Sequence, residues 1–246
     1  MKIKKIASLV LCMVMLMSII PLETAFAAPY ISWMGDAFSA NNLYYDDDLQ
    51  SWKRHKDGYV SLYDSNGNRY FKEKAYDVVG LDEKGTKLIS SKNSTKIVDK
   101  SGNLIKDFGD DDAFEAGYGY VHRYNSAGQY QLYNSKGYKV IAAGQYDYGN
   151  PVARKRVIVC DASGKYGMIN NVGELIIPVK FNDIKYVSDE RILVKNSSGY
   201  WGIIDINCNS ILACMYTKLD YISDSRILAS KSTNGCKRQS ILQNKW

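Results

Sequence analysis

Four ring-bearing residues alternate along one short segment of this chain: Tyr118, Tyr120, His122 and Tyr124. Side chains of a strand point to opposite faces in turn, so this alternation predicts four rings on one face. Such a ribbon could stack on sugar rings or dock an extended peptide, and it could equally pack against a neighbouring element. Carboxylates are the second candidate chemistry. Asp46-Asp47-Asp48 and Asp110-Asp111-Asp112 are acidic runs, with Glu115 close behind the second. Paired carboxylates cleave glycosides, so a secreted carbohydrate-active enzyme would use the Asp110–Asp112/Glu115 region. Successive loop residues diverge, however, and acidic runs commonly serve solvation. The chain has no Gly-x-Ser-x-Gly elbow, no phosphate-cradling glycine loop, no CxxC and no HExxH. With its two histidines, His55 and His122, remote in sequence from any cysteine, neither a metal site nor a cofactor is expected.

The elements that must carry these residues recur at nearly constant spacing. The turns Asp64-Ser65-Asn66-Gly67, Asp99-Lys100-Ser101-Gly102, Asn134-Ser135-Lys136-Gly137, Asn170-Asn171-Val172-Gly173 and Asp205-Ile206-Asn207-Cys208 follow one another at steps of 35, 35, 36 and 35 residues. A period in this range marks tandem repeats, stacked because one copy cannot bury its own apolar face. Asp or Asn at the first turn position can bond the backbone ahead, and Gly at the fourth tolerates positive φ. Where Cys208 replaces that Gly, the expectation is that Asn207 takes the positive φ or that the turn is remodelled. Between turns lie short apolar runs such as Arg191–Lys195 and Tyr200–Asp205. The expected fold is all-β: antiparallel meanders of about 35 residues, in an open solenoid or a propeller-like array. About six units fit residues 43–246, at 43–72, 73–107, 108–142, 143–178, 179–213 and 214–246, the last incomplete. Its edge would be covered by Tyr30–Trp33 or left to associate.

Lys165-Tyr166-Gly167-Met168-Ile169-Asn170, with Gly173 to Phe181 behind it, and Tyr200-Trp201-Gly202-Ile203-Ile204-Asp205 carry a resemblance. They look like the WG-repeat family of bacterial proteins, whose consensus is an aromatic-Gly pair, two apolar residues, Asp or Asn, a Gly turn, an apolar pair, Pro and an aromatic. The resemblance is close over about 165–230 and degenerate back to about Tyr59; Ser61, Lys96 and Gln131 stand where Gly is expected. It implies a β-rich repeat scaffold, often exported, with no common enzymatic activity and no catalytic residues to transfer. Bottom-up, a large ring beside a Gly suits close packing, so Trp201, Gly202, Tyr166 and Gly167 are expected to pack unit against unit.

Residues 1–27 have the form of a signal peptide: Lys2, Lys4 and Lys5, an apolar run from Ile6 to Ile20, then Ala25-Phe26-Ala27 ahead of the cut. The run is shorter than the ~20 residues of a membrane span, so no transmembrane anchor is expected after cleavage. Residues 28–42 would be an N-terminal segment, and the protein secreted or associated with the cell surface. The formal charge is +6, of which the signal contributes +2, leaving +4. No basic cluster exceeds Arg154-Lys155-Arg156, which speaks against nucleic acid as a partner. Cys160, Cys208, Cys214 and Cys236 could form disulfides after export or remain free thiols. Nearly all of the mature chain is repeat, leaving no inserted domain for a catalytic centre. The sequence therefore points to a non-enzymatic scaffold that binds protein or cell-wall glycan at the envelope, with the enzyme as alternative.

Overall fold

The computed structural model describes residues 43–47, 49–64, 68–69, 74–110, 112–223, 226–233 and 236–243. The expected signal peptide, the 28–42 segment with Tyr30–Trp33, and Asp48 and Asp111 lie outside them. The described residues are all-β, built as consecutive antiparallel meanders. The first sheet holds β1 (Leu43–Asp46), β2 (Ser51–Lys56), β3 (Tyr59–Tyr63), β4 (Ala75–Gly80), β5 (Lys87–Ser91), β6 (Thr95–Val98) and β7 (Leu104–Asp107). Its β3 and β4 share a single pairing, Val60 with Ala75, so it is in effect a three-stranded unit beside a four-stranded one. Next come β8 (Ala113–Gly117), β9 (Tyr120–Tyr124), β10 (Tyr130–Asn134) and β11 (Lys139–Ile141). The next sheet has β12 (Tyr148–Ala153), β13 (Arg156–Cys160), β14 (Tyr166–Ile169) and β15 (Leu175–Phe181). It is followed by β16 (Asp183–Ser188), β17 (Arg191–Lys195), β18 (Trp201–Ile204) and β19 (Ser210–Tyr216). The last described sheet is β20 (Lys218–Ser223), β21 (Arg226–Thr233) and β22 (Cys236–Gln243). No helix among the described residues is long and apolar enough to cross a membrane.

Period two explains how these sheets stack. Strands buried on both faces read as continuous apolar runs, and successive side chains leave toward opposite neighbours. Val157 and Val159 enter the core shared with the sheet before theirs, while Ile158 enters the core shared with the sheet after. Ile192 and Val194 likewise look back and Leu193 looks forward. Four of the apolar clusters thus lie between two consecutive sheets, and the first lies between the two halves of the seven-stranded sheet, so no unit owns a complete core.

The turns work as their spelling requires, and in the units from β8 to β19 the link between the two central strands uses the same device. Asp99 Oδ1 accepts from Ser101 N at 2.8 Å and Asn103 N at 2.9 Å, while Gly102 N donates to Asp99 O at 3.0 Å. The link between the two central strands repeats it: Asp161 Oδ1 accepts from Ser163 N and Lys165 N, both at 2.9 Å. The link of Asn125 is built alike. Backbone N–H groups that strand pairing leaves over are satisfied within the turn.

The fourth turn residue also docks on the preceding unit. A Cβ on Gly173 would sit 2.6 Å from Val140 O, and one on Gly137 would sit 3.1 Å from Ile105 Cγ2. Asn134 Nδ2 reaches forward to Asn171 O at 2.9 Å. At the equivalent place Cys208 takes φ 65° itself, which corrects the expectation that Asn207 would absorb the positive φ. The turn is not remodelled: Asp205 Oδ1 still accepts from Asn207 N at 2.9 Å and Asn209 N at 2.8 Å. These bonds fix the turn tightly enough to hold a side chain in the left-handed region, at ~1–2 kcal/mol. Cys208→Gly should remove that strain and return ~0.5–1 kcal/mol as unfolded-chain entropy, for a net gain of up to about 1 kcal/mol. A urea midpoint that falls would show that the side chain contributes contacts worth more than the strain.

Candidate functional site

The aromatic alternation is reshaped by the fold. Tyr118 does not join the strand face: it sits at φ 54° in the β8–β9 link, between Gly117 and Gly119, both also at positive φ. Glycine on either side lets the chain reverse there, and Gly117 pairs directly with Tyr120. Tyr120 starts β9 but is 1% exposed, its hydroxyl donating to Arg154 O at 2.9 Å and pushed up to about 12 by burial, despite the nearby Arg156. Tyr124 is exposed and His122 half-buried, and they join a cluster with three further rings that alternation along one strand could not show. Phe114 on β8 lies 5.7 Å from His122. Tyr130 on β10 stacks on His122 at 5.9 Å and 19°, and meets Tyr124 edge-on at 5.7 Å. Tyr148 on β12, in the next unit, lies 6.0 Å from Tyr130.

This cluster spans the junction of two units and has a buried anchor. Tyr130 donates its hydroxyl to Gly149 O at 2.7 Å. A Cβ on Gly149 would stand 2.5 Å from Ile141 Cδ1 and 3.1 Å from Tyr130 Cε1, so glycine admits the ring. Around the anchor Phe114, Tyr124 and Tyr148 are 54%, 51% and 48% exposed. Burial lowers the pKa of His122, with Glu115 opposing, so its ring is neutral near pH 7 and stacks as an uncharged aromatic. Among the described acidic candidates near it, Glu115 and Asp112 have separate settings. Glu115 Oε1 accepts from Gly117 N at 2.6 Å within the β8–β9 link, and Asp112 is exposed before β8. Among the described residues, no group of three or more His, Cys, Asp or Glu could hold a metal ion.

The aromatic-Gly pairs have a different geometry. Tyr166 pairs with Phe181 and Met168 with Ile177, so three residues of β15, Pro178 to Lys180, are set against Gly167 alone on β14. Trp201 pairs with Tyr216 and Ile203 with Leu212, the same bulge one unit later. Gly167 and Gly202 face these bulges. A Cβ on Gly202 would meet Leu212 O at 2.6 Å, Cys214 Sγ at 2.7 Å and Cys214 N at 2.8 Å; on Gly167 it would meet Ile177 O at 2.6 Å and Val179 Cγ2 at 2.7 Å. Glycine lets the last strand of the unit fold inward. Where Lys96 occupies the same position, β6 and β7 pair without that bulge, Lys96 with Asp107 and Ile97 with Lys106. Residues 166–200 match the family model of the WG containing repeat.

The matched WG repeat runs from the third strand of one sheet to the link before the third strand of the next. No curated protein matches the chain. Among solved structures, BamB from Moraxella catarrhalis is similar at 15% identity and TM-score 0.32, over 79% of this chain and 67% of that one. The WD40 β-propeller domain of Doa1 gives 15% and 0.32, over 82% and 78%. The Neurospora crassa Pan2 WD40 domain gives 12% and 0.28, over 83% and 79%. Likenesses at these scores bear on neither ring closure nor function.

Side chains tie successive units together. Arg156 on β13 grips Asp189 in the β16–β17 link, Nε to Oδ1 at 2.9 Å and Nη2 to Oδ2 at 2.5 Å, and Tyr186 donates to the same carboxylate at 3.0 Å. The bond from Arg156 holds Asp189 below the usual carboxylate range, against its partial burial. A carboxyl whose folded-state pKa is depressed contributes stability that is present above its unfolded value near 4 and is lost as pH falls through the lower folded value. The urea midpoint of the wild type should therefore fall between pH 5 and pH 2, and Asp189→Asn should flatten part of that fall. Identical pH profiles for the two proteins would remove Asp189 from the account. Cys160, Cys208 and Cys214 are free thiols in this structure.

Proposed function

We propose that this protein is an exported, non-enzymatic repeat scaffold that binds protein or cell-wall glycan at the cell envelope. The observation that supports it is the aromatic cluster across the unit junction. Three half-exposed rings, Phe114, Tyr124 and Tyr148, stand around a buried and hydrogen-bonded Tyr130. Rings held in place by stacking and by a buried hydroxyl bond lose little entropy when a partner covers them. Export is supported by the signal-like residues 1–27, and the scaffold role by a fold in which successive units share their cores. The carboxylate chemistry of the enzyme alternative receives no such support, because Glu115 is bonded into a turn. The test is a binding screen of the chain from Ala28 onward against purified cell wall, isolated glycans and secreted proteins, repeated with Tyr124→Ala and Tyr148→Ala. Removing either exposed ring should weaken binding by about tenfold while leaving thermal stability within about 1 kcal/mol. Binding that survives both substitutions would move the site elsewhere.

A further inference from the structure

The second unit breaks the repeat at the place where the later units carry their aromatic-Gly pair. Thr95-Lys96 stands where Tyr166-Gly167 and Trp201-Gly202 stand, and β5 is joined to β6 by three residues, Lys92-Asn93-Ser94. The corresponding links at Asn125–Gln129, Asp161–Lys165 and Asn196–Tyr200 have five. Loss of a ring and shortening of a link both remove volume. The last strand does not bulge inward here, since Lys96 pairs directly with Asp107. The result is a surface cleft of about 470 Å³ beside Thr95, lined by Lys74, Lys92, Lys96, Asn93, Ser94 and Asp107 among others.

The lining is cationic. Among the described lining residues three lysines accompany one carboxylate, and that carboxylate is already engaged: Asp107 Oδ1 accepts from Gly109 N at 2.8 Å, and Oδ2 lies 3.8 Å from Lys96 Nζ. The Lys96 side chain is mostly covered, which fixes its ammonium group at the cleft wall. The Lys74 ammonium is placed by the Tyr59 ring, 4.7 Å from its centroid. Lys92 and Asn93 come from the shortened link and are exposed. Two positive charges in excess, with amide and hydroxyl donors between them, favour a compact oxyanion over a cation or a neutral sugar. We propose that this cleft binds a phosphate group, whether as the free ion or as part of a phosphodiester polymer. This site is separate from the aromatic cluster and stands without it.

The test is calorimetric titration of the full chain with inorganic phosphate and, separately, with poly(glycerol phosphate). Saturable binding of either supports the proposal, and the arm that binds identifies the source. Lys74→Ser and Lys92→Ser, both at exposed positions, should each weaken that binding by about fivefold. Lys155→Ser, on the exposed β12–β13 link, should leave it unchanged. A double variant, Thr95→Tyr with Lys96→Gly, restores the motif, refills the cleft and should abolish binding while the far-ultraviolet β spectrum persists. Failure of both ligands to bind overturns the proposal. So does an equal loss from Lys155→Ser, which would mean diffuse attraction by net charge.

Discussion

Replacing Gly202 by alanine should destabilise the protein by about 3 kcal/mol, the upper range for inserting one methyl into a packed site. The new Cβ would meet Leu212 O and Cys214 N below 3 Å, and both are backbone atoms. A flexible side-chain end could swing away from such a contact. These atoms cannot, because the pairings of Trp201 with Tyr216 and of Ile203 with Leu212 pin the bulge on either side. Gly167→Ala should behave alike, since Ile177 O and Val179 Cα are equally close. The position-matched control is Lys96→Ala, where no bulge approaches and the ion pair with Asp107 is lost; about 1 kcal/mol is expected. Urea midpoints of the three variants decide the matter. If Gly202→Ala melts like the wild type, the bulge can relax outward and close backbone approach is not why glycine stands there.

The parts of this fold that were legible in the sequence are those set by local chemistry. The Asx-x-x-Gly turns announce themselves because one side chain satisfies two backbone donors within five residues, as Asp99 and Asp161 do. Stacking was legible too, since a run such as Ile192-Leu193-Val194 makes sense only for a strand covered on both faces. Contacts that depend on how one unit meets the next were not. Phe114 and Tyr148 lie in different units and join His122 and Tyr124 only through Tyr130, whose place at the junction depends on the space left by Gly149. Tyr118 was misplaced for a local reason that could have been read: a ring between two glycines is turn chemistry, whatever its alternation with Tyr120. Lys87 gave no warning. It is fully buried on β5, its ammonium donating to Gly85 O at 2.8 Å. Burial draws its pKa down to about 8, against the pull of Asp99, Asp82 and Asp46, which come from separate elements.

Trp201→Ala should cost about 3–5 kcal/mol, the range for emptying a buried aromatic site. The ring is 7% exposed and lies in the core between the sheet of β16–β19 and the sheet of β20–β22, among Leu193, Leu219, Ile227 and Ala229. Lys185 and Lys195 hold their ammonium groups over the ring, 4.9 Å and 5.8 Å from its centroid. Removing the ring empties an interface and leaves the Trp201 unit itself intact. In a linear array each interface contributes its own coupling, so the damage should be local. Amides of β20–β22 should lose exchange protection first, while those of β8–β11, which do not touch this cluster, keep theirs. Trp201→Phe retains much of the buried area and should recover more than half of the loss. Two results would contradict this account: an unchanged midpoint in Trp201→Ala, which would make the ring a ligand contact, and uniform loss of protection along the chain, which would mean that the units fold as one cooperative body.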